Sequence, residues 1–324
     1  MADLENDLMV RVAWLHYIEG YAQTEISDML NLSRPKVTRL LGRAREKGMV
    51  RFIIESPQAN CLSVEKELKE TFSLVDAVVV PSGRDEERNN RNIGEGGGLY
   101  VSKKISSGDL VGISWGRTLR ALADSILPRD RVRGVKFVSL AGGLTVSAFM
   151  NPFNIGEKLA SLFQGQCYYI HAPEVVESPE TREFYLAEKV NRKTMEMALQ
   201  SHYSIVGIGV ADFQKSTYIQ AGFIDPQDME IIIQRGGVGD ILGQYFNSEG
   251  KPLDIELHQR TIAVSLAQLK DMPNVIGLAG GRHKTGAILG ALRGRYINVL
   301  VTDEATAHSL IHEYNTTAGE RSTV

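Results

Sequence analysis

Residues 23–41, Gln-Thr-Glu-Ile-Ser-Asp-Met-Leu-Asn-Leu-Ser-Arg-Pro-Lys-Val-Thr-Arg-Leu-Leu, constrain this chain more than any other stretch. They read as two short helices joined by a tight turn, the second densely basic. That is the pattern of a helix-turn-helix, whose second helix enters the DNA major groove. From Arg34 to Arg51 there are seven basic residues (Arg34, Lys36, Arg39, Arg43, Arg45, Lys47 and Arg51) opposed only by Glu46. The whole chain carries a formal charge of −3. Local positive charge on a mildly acidic chain is the asymmetry expected of a small DNA-binding module on a larger non-binding body. The alternative is a solvated helix face.

Leu8, Val12, Leu15 and Ile18 recur at helical spacing before Gly20 and predict a first helix. A second helix is expected over Gln23–Leu30 with Ile26, Met29 and Leu30 inward. Glu25 stands where a capping-box acid belongs, but Ala22 replaces the usual Ser or Thr. Asn31-Leu32-Ser33 makes the turn, with Leu32 plugging the core and Ser33 placed to cap the third helix ahead of Pro35. Val37, Leu40, Leu41 and Ala44 face the core. Lys36, Arg39 and Arg43 lie opposite, with Arg34 and Thr38 on the flank near the helix start. The helix start reaches base edges, so Arg34, Thr38 and Arg39 are expected to read bases. Lys36, Arg43 and Arg45 are expected on phosphates. Gly48 ends the helix, and Met49–Ile54 alternates like a strand. Pro57–Asn60 is a plausible boundary, which divides the chain into 1–57, DNA-binding, and 58–324, effector-binding and oligomerising.

At 324 residues there is room for two domains. No apolar run approaches the roughly 18 residues of a membrane span, and the acidic N-terminus is unlike a signal peptide. Two cysteines, Cys61 and Cys167, cannot make a disulfide framework. The expected location is the cytoplasm, with no membrane partner and no cofactor.

Beyond residue 61, apolar runs alternate with helical patterns. Strands are expected at 76–80, 109–114, 135–140, 203–208, 274–278 and 298–302, several ending in glycine-bearing loops, and a helix is expected from about 118 to 126. Strand, glycine loop and helix in repetition mean an α/β domain with a mostly parallel sheet. Ligands bind such sheets at the carboxyl ends of the strands. Three loops, 114–118, 141–143 and 280–284, would converge there. Glycine admits close backbone approach, helix-start N–H groups favour an anion, and Lys284, Arg117 and Thr118 could add to a phosphate site. The competing reading of each loop is ordinary turn chemistry. Gly94-Glu95-Gly96-Gly97-Gly98 lacks the frame of a dinucleotide loop, because Leu99 occupies the last glycine position, and close helix packing explains it better. His308 and His312 have metal-capable spacing without a third ligand. His16, His171, His202, His258 and His283 are scattered, and no catalytic triad can be read from spacing. Asp240 and Asp254 lie in glycine-flanked segments that could line the crevice or make turns.

The chain resembles the SorC family of sugar-responsive bacterial transcription regulators. The resemblance rests on the 23–41 pattern, Gly112-Ile113-Ser114-Trp115-Gly116-Arg117-Thr118-Leu119, Ala141-Gly142-Gly143, Gly237-Val238-Gly239-Asp240-Ile241-Leu242-Gly243, Ala279-Gly280-Gly281-Arg282-His283-Lys284 and Leu300–Ala307, in that order. It implies an effector domain similar to phosphosugar isomerases and deaminases, with catalysis given up for sensing. It also implies operator DNA as partner, a phosphorylated sugar or polyol as effector, and assembly as homodimer or homotetramer. Carried over, the effector residues are Ser114, Gly116, Arg117, Thr118, Gly142, Gly143, Asp240, Gly281 and Lys284, and the DNA-binding set is Ser33, Arg34, Lys36, Thr38, Arg39, Arg43 and Arg45. Gly96–Gly98 departs from the helix formers of relatives. The likeness leans toward regulators of polyol catabolism of the erythritol type. The alternative is a phosphosugar isomerase or deaminase with a DNA-binding appendage, for which Asp240 is the single motif-borne carboxylate.

Overall fold

In the N-terminal unit the apolar periodicity closes three helices on one another: α1 (Ala2–Tyr17), α2 (Gln23–Leu30) and α3 (Arg34–Glu46). The computed structural model describes residues 2–50, 57–126, 132–143 and 152–321, which belong to two compact units, Met1–Ser56 and Pro57–Val324. The small core consists of Met9, Val12, Ala13, Ile26, Val37, Leu40, Leu41 and Ala44, with Leu8, Leu15, Leu30 and Leu32 packed against it. Asn31 takes the left-handed conformation at φ 50° that ends α2, and Gly48 at φ 68° closes α3.

Three expectations are corrected here. Ile18 lies beyond α1 and is 64% exposed, and Met29 is 54% exposed. Ile26 and the partly buried Leu30 fill the space under α2, which leaves Met29 on its outer side. Ser33 precedes α3 but makes no side-chain cap bond. Half of a capping box survives at α2, where the Ala22 N–H donates to the Glu25 carboxylate at 2.7 Å. The two units divide at Ser56/Pro57, and Pro57–Asn60 is the first turn of α4 (Pro57–Phe72), a position proline tolerates because the missing N–H has no helical partner there. Of the expected strand at 49–54, Met49 and Val50 lie in a bend and the rest falls outside the described residues.

The larger unit holds a seven-stranded sheet, all parallel, in the order β1 (Asp76–Val80), β10 (Val299–Asp303), β9 (Val275–Leu278), β5 (Tyr203–Gly207), β2 (Leu110–Ile113), β3 (Lys136–Ser139) and β4 (Gln166–Tyr168). β9 and β10 are buried along their full length, as parallel strands covered on both faces must be. A second, antiparallel sheet of three strands follows β5: β6 (Gly209–Val210), β7 (Gly237–Ile241) and β8 (Gln244–Asn247). Strand β4 and the small sheet carry no readable strand signal. β4 is three residues at an edge, and β7 reads Gly-Val-Gly-Asp-Ile. From β2 the chain steps outward through β3 to β4, then returns to β5 and steps the other way through β9 and β10. The reversal opens a switch point between β2 and β5, where an open α/β sheet presents its ligand crevice.

The glycine run lies inside α5 (Glu86–Lys104), which packs on α6 (Arg117–Ser125). A Cβ on Gly94 would stand 2.5 Å from the Ala121 Cβ and 2.7 Å from its backbone carbon, and one on Gly97 would stand 2.8 Å from Leu278 Cδ2. Here glycine lets two helices approach closely. Gly94→Ala is expected to lower stability by about 1–2 kcal/mol, the overpacking cost less the gain in helix propensity. A thermal melt equal to that of the parent chain would show that the two helices can part freely.

Candidate functional site

At the switch point the carboxyl ends of β2, β5 and β9 surround a cavity of about 60 Å³. Ser114, Trp115 and Thr118 come from the β2 loop and the start of α6. Gly207–Gly209 follow from β5, and Leu278 and Lys284 from β9 and its loop. Asp240 reaches in from β7, and Tyr218 from the short helix Thr217–Gln220. Of the residues selected from the sequence, Ser114, Thr118, Asp240 and Lys284 therefore meet around one space. Gly116 stands at its edge as the N-cap of α6, with φ 132°, a conformation that favours glycine, and no side chain caps the first N–H groups of that helix.

The other nominated residues do not line the cavity. Arg117 is exposed, with its guanidinium 3.5 Å from Glu86 and 3.3 Å from the Gln220 side-chain oxygen. The N–H of Gly142 donates to Ile262 and that of Gly143 to Ala172, so neither is open to a ligand. A Cβ on Gly142 would strike the Pro173 backbone at 2.6 Å, which makes this loop a packing site. The Gly281 N–H is taken by Asp303 and Thr306, each at 2.8 Å. Asp303 also accepts from Ser82, Asn89 and Thr306. Burial alone would raise its carboxyl, but these bonds outweigh it and hold Asp303 below the usual carboxylate range. Asp303 thus anchors the loop that presents Lys284. Asp254 is exposed and does not line the cavity. No cluster of three metal-ligating side chains occurs among the described residues.

Lys284 sits half-buried above the cavity floor and donates from Nζ to the Ile208 carbonyl at 2.8 Å. Among the described residues it forms no ion pair. Burial pulls its ammonium below the ordinary lysine range, and the Asp240 charge works against that pull. Asp240 is buried and pushed up to about 7 by burial, offset in part by the Gly243 N–H and by Lys284. Gly209 pairs with Asp240 across β6 and β7, and only a residue without a Cβ leaves room for that carboxylate.

The sequence held no pattern for Glu174. It is fully buried, and its carboxylate accepts from Trp115 Nε1 and Tyr218 Oη, both short bonds. The two rings lie 5.1 Å apart and form the apolar wall of the cavity. Burial pushes Glu174 up to about 8, against the two hydrogen bonds and with the Asp240 charge. Both acids therefore bind protons more tightly folded than unfolded. Stability falls as pH rises from the unfolded carboxylate range through about 7 and 8, since the native state holds the extra protons in that window. The melting temperature is expected to drop between pH 5.5 and 8.5, and Glu174→Gln should flatten that slope. An unchanged slope in the variant would show that Glu174 does not titrate there.

In the N-terminal unit, Arg34, Lys36, Thr38, Arg39 and Arg45 are exposed. Thr38 is less free than expected, because its hydroxyl donates to Gln23 at 2.7 Å. Arg43 is half-buried and paired with Glu5 on α1.

Residues 56–312 match the family described as "Putative sugar-binding domain". The erythritol catabolism regulatory protein EryD of Brucella abortus is 34% identical over 317 residues, which cover 97% of this chain and 99% of that protein. The transcriptional regulator LsrR of Klebsiella pneumoniae is 33% identical over 313 residues, 96% of this chain and 94% of that protein. The crystal structure of the full-length sorbitol operon regulator SorC from Klebsiella pneumoniae superposes with a TM-score of 0.74 at 29% identity, covering 94% of this chain and 98% of that one. The larger unit, which holds the cavity at the sheet's switch point, thus matches a sugar-binding domain family, and the chain belongs to the SorC family of sugar-responsive transcriptional regulators.

Proposed function

We propose that the cavity between β2, β5 and β9 receives a phosphorylated sugar or polyol, and that this ligand controls the grip of a helix-turn-helix, α2 and α3, on operator DNA. The observation that carries the effector half is Lys284, a half-buried cation over the cavity with no ion pair among the described residues. With the uncapped start of α6 beside it, the pair suits a phosphate, and Asp240 suits a hydroxyl of the carbon chain. A sugar phosphate exceeds the roughly 30 Å³ of one water several-fold. A ligand that contacts Thr217 and Tyr218 at the rim as well as Lys284 would gain the differential contact a switch needs.

The erythritol regulator and the LsrR regulator carry names of gene control. We read the crevice accordingly as a sensor: Asp240 lies beside a lysine, and among the described residues no second carboxylate lines the cavity to complete a carboxylate acid–base pair. Anisotropy of the full chain on labelled upstream DNA, titrated with free and phosphorylated sugars and polyols, tests both halves. A phosphorylated compound is expected to shift binding where its free parent does not. Steady turnover of any of these compounds would restore the enzyme reading. Because Asp240 gains charge as pH rises through about 7, affinity for a dianionic phosphate should weaken between pH 6.5 and 8, and Asp240→Asn should remove that trend.

A further inference from the structure

Strand β9 ends at the effector cavity with Leu278 and begins in a second, larger one with Val275. This groove of about 850 Å³ lies wholly in the larger unit, at the amino ends of β9 and β10. Small-molecule sites occupy roughly 300–1,000 Å³, and the effector reading makes no use of this one.

Four cations and one carboxylate line the groove: Lys251, Lys270, Arg293 and Arg295 against Glu249. The chain as a whole carries −3, so the positive excess is local. Two of the four cations are engaged. Lys251 pairs with Glu249 at 2.9 Å, and Arg293 donates to the Ser248 carbonyl at 2.8 Å. The other two are unspent. Arg295 is exposed, and the Lys270 ammonium lies 5.1 Å over the ring of the buried Tyr296. Among the described residues neither side chain forms an ion pair or a hydrogen bond. The carboxyl ends of helices favour cations. That accounts for Lys270 in the last turn of the helix Leu266–Asp271 and for Arg293 in that of Thr285–Arg293. It gives no reason for Lys251 in the loop after β8, nor for an arginine at position 295, where φ is 56° and glycine or asparagine is favoured.

The rest of the groove offers aromatic surface. Phe72 of α4 and Tyr314 of the helix Glu304–Arg321 both line it, half-buried, with ring centroids 5.0 Å apart. A lone phosphate gains nothing from such rings, whereas the face of a nucleobase stacks on them. Duplex DNA fits less well, because its bases are already stacked on one another. We propose that the groove is a second ligand site, for a nucleotide, with the base against Phe72 and Tyr314 and the phosphate chain on Lys270 and Arg295.

The test is binding of methylanthraniloyl-ATP to the full-length chain, followed by anisotropy, with ATP, inorganic triphosphate and duplex DNA as competitors. Saturable binding is expected, with ATP a better competitor than triphosphate. Lys270→Glu and Arg295→Glu, both at exposed positions, should each weaken binding roughly tenfold or more. Tyr314→Leu should remove the advantage of ATP over triphosphate. Absence of saturable binding overturns the proposal. So does equal competition by ATP and triphosphate on the parent chain, which would reduce the groove to a surface for counter-ions, and so does displacement by duplex DNA alone. A nucleotide held in the effector cavity would be lost in Lys284→Ala and kept in Lys270→Glu and Arg295→Glu, which overturns it as well.

Discussion

Lys284→Ala will cost the effector response on the order of 100-fold in affinity and leave operator binding intact. A charge-assisted hydrogen bond to an ionised group contributes about 1.5–3 kcal/mol, or roughly 10- to 150-fold. The upper end applies because Lys284 is the cation that lines the cavity, while Arg117 is turned to Glu86 and Gln220 outside it. Truncation also leaves the Ile208 carbonyl without its donor and removes the cation that holds Asp240 down. Asp240 then protonates more readily, which stops it from becoming an unpaired buried charge and spares the fold. Lys284→Arg should recover only part of the loss, because a planar guanidinium cannot take the place of a compact ammonium in so small a cavity. Anisotropy on operator DNA with and without the phosphorylated ligand reads both numbers. A Lys284→Ala chain that responds at the parent's ligand concentration would mean that the phosphate lies elsewhere.

Arg39→Ala is expected to reduce operator discrimination by about 1–3 kcal/mol, or roughly 5- to 150-fold, with effector binding unchanged. Arg39 is exposed on α3, opposite Val37, Leu40 and Leu41, and among the described residues no neighbour holds its guanidinium as Gln23 holds Thr38 or Glu5 holds Arg43. Lys36→Ala should instead weaken binding evenly across sequences and shallow the salt dependence by about one unit. Arg43→Ala should cost DNA binding less than either, since its guanidinium already holds Glu5 on α1. Competition between operator and scrambled DNA at two salt concentrations separates these roles. Full discrimination in the Arg39→Ala chain would show that α3 does not read bases through that side chain.

The legible parts share one property: their signal is local and periodic. Val37, Leu40, Leu41 and Ala44 repeat at helical spacing and are all buried. The apolar runs at β1, β2, β3, β5, β9 and β10 stand out because a parallel strand covered on both faces has to be apolar throughout. Ser114, Thr118, Asp240 and Lys284 sit in glycine-bearing segments that close backbone approach makes visible, and the cavity collects them. The same signal misled at Gly142, Gly143 and Gly281. Their N–H groups are spent on Ile262, Ala172, Asp303 and Thr306, because glycine marks any close approach, whether of a ligand or of another strand. Glu174 lay beyond sequence reading. It stands between Pro173 and Val175 in no recognisable motif, and its role comes from Trp115 and Tyr218, 59 and 44 residues away.

By itself the sequence determined a small basic helical module followed by a parallel α/β domain with glycine-loop strand ends. Helix period, strand length and charge are properties of neighbours along the chain. Only the tertiary structure decided where those strand ends meet. The order β1-β10-β9-β5-β2-β3-β4 puts β2 beside β5, and residues far apart in the chain thereby share one crevice. It also decided which side chains lose water there. Asp240 and Glu174 have the composition of ordinary surface acids, and burial beside Lys284, Trp115 and Tyr218 is what moves their protons into the physiological range.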